Sequence, residues 1–407
     1  MVSRSAVMAL MMTCALLLYE EWVSTPACKI VPHRDGDGES RYEEDPEDLK
    51  VMMVANLLLL GSDATYWSFY FRHHYLSKFF KKSFVTIKPD MLLVLGDVSA
   101  KGVELTKSKW SSVFLQFQRM LGPFLGVPFH VILGDRDVGE CSGLNANDIS
   151  WLASKFPGLD STGCSSFEIS NISFVSLNAV ALLCGNNDLR FGVERVIERE
   201  SIELRTNSKG VAASVDESGS FAESLHQVAW RKNPMSSGSG PVLLLHFPLH
   251  QSKHNGGGIT ALKGNTYMSI GRLEAAKSRE HAGSGPYELK HTIPANATEY
   301  IFQALRPRIV FSAHSHDFCD HLHLDGTREV TVPAITWDAK DDPGFVIAIF
   351  RRNGMISVSR CTLARESHVL VIAFFTWIMI TKNDLRNSSS SGFAWITGPQ
   401  DASNVAI

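Results

Sequence analysis

Four short apolar segments, each ending in Asp or His side chains, constrain the fold of this sequence more than any other feature. The segments lead into Gly96-Asp97, Gly134-Asp135-Arg136-Asp137, His246, and Ala313-His314-Ser315-His316. Apolar runs of this length predict strands covered on both faces. Because α/β sheets bind ligands beyond the carboxyl ends of their strands, we expect these side chains to meet at one edge. Carboxylates combined with imidazoles predict a site for a divalent transition metal such as Mn, Fe or Zn.

The segments around these motifs predict one large domain over residues 51–365. Val51–Leu60 is almost entirely apolar and predicts a buried strand, whereas Lys109–Leu121 has apolar positions at helical spacing. Helical stretches alternate with the early strands, and the later strands follow one another closely. The pattern predicts an α/β fold, a β-sandwich of two sheets flanked by helices. The Ser- and Gly-rich residues 206–240 predict a flexible insertion, and residues 25–50 an acidic linker.

Both ends of the sequence carry short hydrophobic segments. Residues 1–24 predict either a cleaved signal peptide or an uncleaved signal anchor. Residues 369–381 predict a short membrane segment, and the basic residues in the polar tail at 382–407 favour a cytoplasmic side for that tail. If both segments anchor the chain, the domain between them lies in the lumen of the secretory pathway.

A lumenal domain would permit disulfides and N-glycosylation. The sequence has sequons at Asn171, Asn296 and Asn387. Cys319 could pair with Cys361, and Cys164 with Cys184, but spacing alone leaves the connectivity open. The net charge of −3 excludes a globally basic nucleic-acid binder, and no nucleic-acid partner is expected.

The order of the four motifs resembles that of the calcineurin-like metallophosphoesterases. Three stretches are similar to a narrower, membrane-anchored branch that remodels GPI-anchor glycans: Arg306–His316, Val332–Trp337 and Pro343-Gly-Phe345. The resemblance implies a calcineurin-like β-sandwich flanked by helices that holds one or two divalent ions. It also implies a phosphodiester substrate, such as phosphoethanolamine on a GPI glycan. It places the protein in the membrane of the endoplasmic reticulum or Golgi, with its catalytic domain lumenal.

The resemblance also assigns roles to single residues. It implies that Asp97 bridges two metals, and that one metal has Asp135, His246 and His314 as further ligands, whereas His316 belongs to the other. Arg136 stands where the family has His. Its guanidinium can clamp a phosphate bidentately but cannot donate a proton as a general acid. Asp137 is expected to support the motif loop.

The sequence departs from the family pattern at the opening motif. Asn56 stands where the family has Asp, and Leu58 stands where it has His. Leu cannot bind a metal and Asn is a weaker, neutral ligand, so the first metal site is expected to be degraded. Asp63 could replace the missing ligand only if its loop folds back. Three hypotheses follow: a metal-dependent phosphoesterase, a catalytically impaired adaptor for lumenal binding or cargo trafficking, and a metal-free structural protein.

Overall fold

The computed structural model describes most of the predicted domain and the segments that flank it. The described residues are 11, 14, 19, 21, 23–31, 48–141, 143–184, 188–213, 240–251 and 292–370. Most of the predicted N-terminal hydrophobic segment, nearly all of residues 369–381 and the tail at 382–407 lie outside them. Residues 214–239 of the predicted insertion lie outside them as well.

Strands and helices alternate in the first half of the described chain. The strands are β1 (Ala27–Val31), β2 (Leu49–Val54), β3 (Met91–Leu95), β4 (Phe129–Ile132), β5 (Ser165–Ile169), β6 (Ile172–Ser176), β7 (Val242–Leu244), β8 (Ile309–Ser312), β9 (Cys319–Leu322), β10 (Arg328–Thr331), β11 (Gly344–Phe350) and β12 (Ile356–Thr362). The helices are α1 (His73–Ile87), α2 (Lys107–Leu121), α3 (Asp135–Val138), α4 (Ala146–Ala153), α5 (Ala179–Leu183), α6 (Asp188–Ala213) and α7 (Ala295–Leu305).

The strands form two six-stranded sheets. The first has the order β1-β12-β11-β2-β3-β4 and the second the order β5-β6-β7-β8-β10-β9. Strands β2, β3 and β4 are parallel to one another, and β6, β7 and β8 are parallel in the second sheet. Parallel neighbours end at the same edge of a sheet, so the residues that follow β3, β4, β7 and β8 are brought to one side of the molecule.

The central strands of each sheet, such as β3 and β8, are buried on both faces, as their apolar sequences require. Along β2, Val51 and Met53 belong to the core between the sheets, whereas Met52 belongs to a second core that also contains helix residues. Phe79 of α1 and Val113 of α2 pack in that second core. The structure therefore confirms the α/β sandwich with outer helices that the sequence predicts.

Several boundaries differ from those predicted. Residues 27–31, assigned to the acidic linker, form β1 and pair with β12 at the edge of the first sheet. Residues up to Ala213 extend helix α6, so the insertion predicted from residue 206 begins in helical structure. The sequence missed β1 because the strand that it pairs with, β12, lies at the far end of the described chain.

The cysteines pair differently from the two candidate pairings. Cys28 is bonded to Cys361, and Cys141 is bonded to Cys184. Cys164 and Cys319 are free thiols. The first disulfide joins β1 to β12, where Cys28 and Cys361 face each other in the antiparallel register. No helix among the described residues is both long enough and apolar enough to cross a membrane.

Candidate metal centre

The two Gly-Asp motifs follow the adjacent parallel strands β3 and β4. Asp97 is 1% exposed, and Asp135 is the first residue of the short helix α3. The glycines allow the motifs to approach closely: a Cβ on Gly134 would lie 2.2 Å from Oδ1 of Asp97. Glycine before each Asp is therefore required for close backbone packing as well as for turning the chain.

His246 follows β7 and is completely buried. Its Nδ1 lies 2.7 Å from the carbonyl oxygen of Leu95, the last residue of β3, and donates a hydrogen bond to it. Its Nε2 therefore points toward the carboxylates, 2.9 Å from Oδ1 of Asp135 and 3.5 Å from Oδ1 of Asp97. A hydrogen bond from one ring nitrogen to a fixed carbonyl orients the other nitrogen as a metal ligand.

His314 completes the cluster from the end of β8. Its Nδ1 lies 3.1 Å from Oδ1 of Asp135, the oxygen that also faces His246. The ring of Phe247 lies against that of His314, with their centroids 4.0 Å apart, and restricts its orientation. One ligand atom each from Asp135, His246 and His314 lie within 4.8 Å of one another.

The backbone at these motifs adopts a left-handed conformation that non-glycine residues rarely adopt. Asp97, His314 and His316 have φ values of 55°, 60° and 62°. Asn56 and Leu58 have φ values of 54° and 50° and the same alternate spacing as the two histidines. Backbone conformations of this kind cluster at functional sites. The shared backbone conformation and spacing support the placement of Asn56 and Leu58 at the opening-motif positions.

The loop after β2 brings Asn56 and Leu58 beside the first Gly-Asp motif. The amide of Asn56 donates to the carbonyl of Gly96 at 3.2 Å, and that of Leu58 donates to the carbonyl of Asp97 at 3.0 Å. Both side chains are buried, but Oδ1 and Nδ2 of Asn56 have no hydrogen-bond partner. A buried amide is costly without partners, so this position suits an additional ligand for its oxygen. The carboxylate of Asp63 is ion-paired with Lys109 at 2.8 Å. Asp63 therefore does not supply the metal ligand that is missing at Leu58.

Asp137 ties the two motif loops together. Its buried carboxylate accepts hydrogen bonds from the amides of Ser99 at 2.9 Å, Val98 at 3.2 Å and Gly134 at 3.1 Å. These three donors belong to the segments that carry Asp97 and Asp135. The bonds fix the spacing between the two candidate ligands, the supporting position predicted for Asp137.

Arg136 lies at the margin of the cluster. Its Nε is 3.6 Å from Oδ2 of Asp97, while its side chain remains 44% exposed. Its backbone amide also donates to Oδ1 of Asp97 at 3.1 Å. A cation that is held by a buried carboxylate and remains open to solvent can bind a phosphoryl group entering from outside.

Burial and mutual charge shift the titration of the whole cluster. Burial raises the pKa of Asp97 to about 6, although His246 opposes the shift, and burial raises the pKa of Asp137 to about 7. Burial would also raise the pKa of Asp135, but hydrogen bonds with His246 and His314 outweigh it and lower the value. For His246, burial is outweighed by Asp97 and Asp135, which raise its pKa to about 9. The pKa of His316 is lowered by burial and by the nearby positive charge of Arg136.

The donor set fits a divalent transition metal. Asp97, Asp135 and Asp137 bring three carboxylates close together in a buried site, where a bound cation would offset their mutual repulsion. Nε2 of His246 faces the carboxylates of Asp97 and Asp135, so a cation held between these groups would contact all three. The residues that would hold the ion are Asp97, Asp135, His246 and His314, a mixed oxygen and nitrogen set typical of Mn, Fe and Zn.

Of the predicted site residues, the structure joins Asp97, Asp135, His246 and His314 by direct contacts. Asn56 and Arg136 lie beside this cluster, and His316 lies within electrostatic reach of Asp135 and Arg136. Sequence reasoning missed the carbonyl of Leu95 and the ring of Phe247. A carbonyl carries no residue-type signal, so no sequence pattern points to Leu95, whereas Phe247 directly follows a motif residue and could have been considered.

Comparison with known proteins adds an independent observation. The family model described as calcineurin-like phosphoesterase matches residues 69–318. Metallophosphoesterase 1 of Rattus norvegicus is 27% identical over 353 residues, which cover 85% of this chain and 81% of that protein. The Metallophosphoesterase 1 homolog of Drosophila melanogaster is 24% identical over 336 residues, covering 81% of this chain and 79% of that protein. A dimetal phosphatase from Danio rerio of known structure shares 13% identity and a TM-score of 0.40, covering 75% of this chain and 93% of that chain.

Proposed function

Because the chain belongs to the calcineurin-like phosphoesterase family, we propose that it is a metal-dependent hydrolase of a phosphodiester. The observation that carries the proposal is the convergence of Asp135, His246 and His314 at the ends of three strands. Their ligand atoms approach one another from separate parts of the sequence. With Asp97 after β3, four strand ends carry matching chemistry, which is expected of a built site rather than of a satisfied core histidine.

One residue of the site binds the substrate, and others orient the binding groups. Arg136 binds the phosphoryl oxygens through its exposed guanidinium, and Asp97 orients that guanidinium. Asp137 holds the two ligand loops in register, and Leu95 fixes the ring of His246. A divalent ion bound by Asp97, Asp135, His246 and His314 supplies Lewis-acid stabilisation of the charge that develops on the phosphoryl oxygens.

We further propose that the site holds one ion firmly and a second weakly or not at all. Leu58 is 3% exposed and offers no ligand atom at the position where the family has His. Asn56 offers only a neutral oxygen. Arginine is a far weaker acid than histidine, so the general-acid contribution of the family His, about 10²- to 10⁴-fold in rate, is lost with Arg136 at this position. The expected enzyme is therefore slow.

The substrate is proposed to be a phosphodiester of a GPI-anchor glycan, such as its phosphoethanolamine, reached from the membrane of the endoplasmic reticulum or Golgi. Two disulfides within the domain support an oxidising, lumenal compartment, since cytosolic proteins rarely keep them. The sequon residues Asn171 and Asn296 are exposed, as glycan acceptors must be. The third sequon, at Asn387, lies outside the described residues.

Metal content and hydrolysis measured together test the catalytic proposal. Full-length protein, purified in detergent, is assayed against bis(p-nitrophenyl) phosphate with Mn²⁺, Zn²⁺ or a chelator. We expect one retained ion per chain, slow hydrolysis that chelation abolishes, and loss of both in His246→Ala. His74→Ala is the matched control, because His74 is exposed on helix α1 and outside the site. Hydrolysis that is unaffected by His246→Ala would contradict the proposal.

Enzymatic deglycosylation tests the location. The parent protein, expressed in a eukaryotic cell, should gain gel mobility after the treatment, and Asn171→Gln or Asn296→Gln should remove part of that gain. A parent whose mobility does not change would contradict a lumenal domain.

A second candidate function is favoured by the apolar Leu58. A chain that binds one ion and a phosphorylated ligand without turnover could act as an adaptor in the secretory pathway. The assay above separates the two functions: retained metal with no hydrolysis under any metal supports the adaptor.

A further inference from the structure

An uncharged aromatic patch precedes helix α1. Tyr66, Trp67 and Tyr70 are 80%, 49% and 62% exposed, which is unusual for large rings lying within one helical turn. The rings of Tyr66 and Tyr70 are 4.4 Å apart at their centroids, so they present a continuous surface. The segment Thr65–Tyr70 contains no charged residue. We call Tyr66, Trp67 and Tyr70 the aromatic patch.

The patch is anchored on a rigid base. Trp67 stacks on Phe71 with a centroid separation of 4.4 Å, and Phe71 stacks on Trp337 at 5.6 Å. Trp337 is 6% exposed, and its indole nitrogen donates to the carbonyl of Ala364 at 2.8 Å. Exposed rings held by such packing keep a fixed orientation at low entropic cost.

The residues that lead into the C-terminal apolar segment lie beside this patch. Arg72, two residues after Tyr70, binds Glu366 through two nitrogen–oxygen contacts of 2.7 and 2.9 Å. Val369 is 3% exposed, and the sequence continues from there as the apolar run that ends at Thr381. The ion pair therefore holds a residue just after the patch against a residue just before the apolar run.

The N-terminal hydrophobic segment reaches the same helix. Glu21 is ion-paired with Lys82 of helix α1, and Val23 is buried. Described residues next to each apolar end, Glu21 and Glu366, thus contact helix α1 or the turn directly before it.

We propose that the aromatic patch is a membrane-contact surface that seats the domain on the headgroup region of the bilayer. Tyr and Trp favour this depth because their rings are apolar and their polar atoms remain hydrated. Lipid is the occupant that the C-terminal end favours, since Glu366, held by Arg72 beside the patch, leads within three residues into the apolar run that starts at Val369. The inference rests on the membrane attachment included in the proposed function.

Fluorine NMR of the full-length protein in phosphatidylcholine nanodiscs tests the proposal. All tryptophans are replaced by 5-fluorotryptophan, and Trp67→Phe, Trp151→Phe and Trp377→Phe assign three of the resonances. A lipid with a nitroxide on its headgroup then broadens the resonances of rings near the membrane surface. Trp151 of helix α4 is the matched control within the folded domain, and Trp377 reports on the apolar segment.

We expect the nitroxide to broaden the resonances of Trp67 and Trp377 and to leave that of Trp151 unchanged. Broadening of Trp377 without Trp67 would overturn the membrane-contact surface while leaving the attachment itself intact. If neither resonance broadened, the membrane attachment would fail and the patch with it. A Trp67 resonance that shifts with protein concentration in detergent, without nitroxide lipid, would assign the patch to a second copy of the chain and overturn the proposal.

Discussion

The Nδ1 atom of His246 lies 2.7 Å from the carbonyl oxygen of Leu95, across the gap between the two sheets' strand ends. The imidazole is thereby fixed with Nε2 facing the carboxylates of Asp97 and Asp135. A neighbouring glycine makes this contact sterically feasible: a Cβ on Gly96 would lie 2.2 Å from Nδ1 of His246. The candidate metal site therefore needs glycine at position 96 as well as its ligands, because any side chain there would displace His246.

The first prediction follows from that contact. Gly96→Ala should displace the His246 ring and remove the retained metal, and it should lower the melting temperature. Alanine at the Gly96 φ of 88° adds backbone strain of about 1–3 kcal/mol. Elemental analysis and thermal unfolding measure the two effects. Gly126→Ala is the matched control, because a Cβ there would meet no atom within 4 Å. Full metal content in Gly96→Ala would contradict the assigned orientation of His246.

The second prediction concerns the opening motif. Asn56→Asp combined with Leu58→His should increase the metal content toward two ions per chain. Without metal, the double variant should be less stable than the parent, since it buries a carboxylate and an imidazole that lack partners. Mn²⁺ or Zn²⁺ should restore its melting temperature, because ligands that bind only the native state stabilise it.

Each single variant serves as a control for the double one. Asn56→Asp alone and Leu58→His alone should gain less metal than the pair, because each leaves one ligand missing. A stable double variant with the metal content of the parent would show that the loop after β2 does not present these side chains to a metal.

The third prediction concerns the phosphate clamp. Arg136→Ala should weaken inhibition by inorganic phosphate about ten- to hundredfold, the range expected for losing a hydrogen bond to a charged group. Arg136→Lys should weaken it less, since Lys keeps the charge but not the bidentate geometry. Arg190→Ala is the control, because Arg190 pairs with Glu194 on helix α6 away from the site. Equal inhibition of all four proteins would remove Arg136 from the substrate site.

The fourth prediction concerns pH and a residue outside the site. Burial lowers the pKa of His130 on β4 from 6.5 to about 4, and its Nε2 lies 2.9 Å from Oγ of Ser176. Between these two values the unfolded chain binds a proton that the folded chain excludes. Neutral, buried His130 therefore makes its full contribution to the free energy of unfolding above about pH 6.5. That contribution is lost as the pH falls toward 4, a change on the order of 3 kcal/mol.

Urea unfolding across this pH range measures the effect. His130→Gln should flatten the fall in unfolding free energy between pH 6.5 and 4, because glutamine can keep a hydrogen bond to Ser176 without titrating. Parallel pH profiles for the parent and His130→Gln would contradict this assignment.

The sequence by itself predicted the sandwich class, the family and the motif residues. Apolar runs such as Met91–Leu95 specify buried parallel strands, and the residues that end such strands must lie at one edge of a sheet. The convergence of Asp97, Asp135, His246 and His314 thus follows from local pattern and topology. The family match over residues 69–318 confirms the resemblance that these motifs indicated.

Only the tertiary structure decided the partners that lie far apart in sequence. Strand β1 forms because β12 and the Cys28–Cys361 disulfide hold it, and residues 25–50 contain no local signal for it. Packing likewise places the carbonyl of Leu95 against His246, where it fixes the ring orientation. It also leaves the side-chain amide of Asn56 buried without a hydrogen-bond partner. A sequence pattern records which face of a strand is apolar, but the atoms that meet across that face are selected by the close packing of the folded chain.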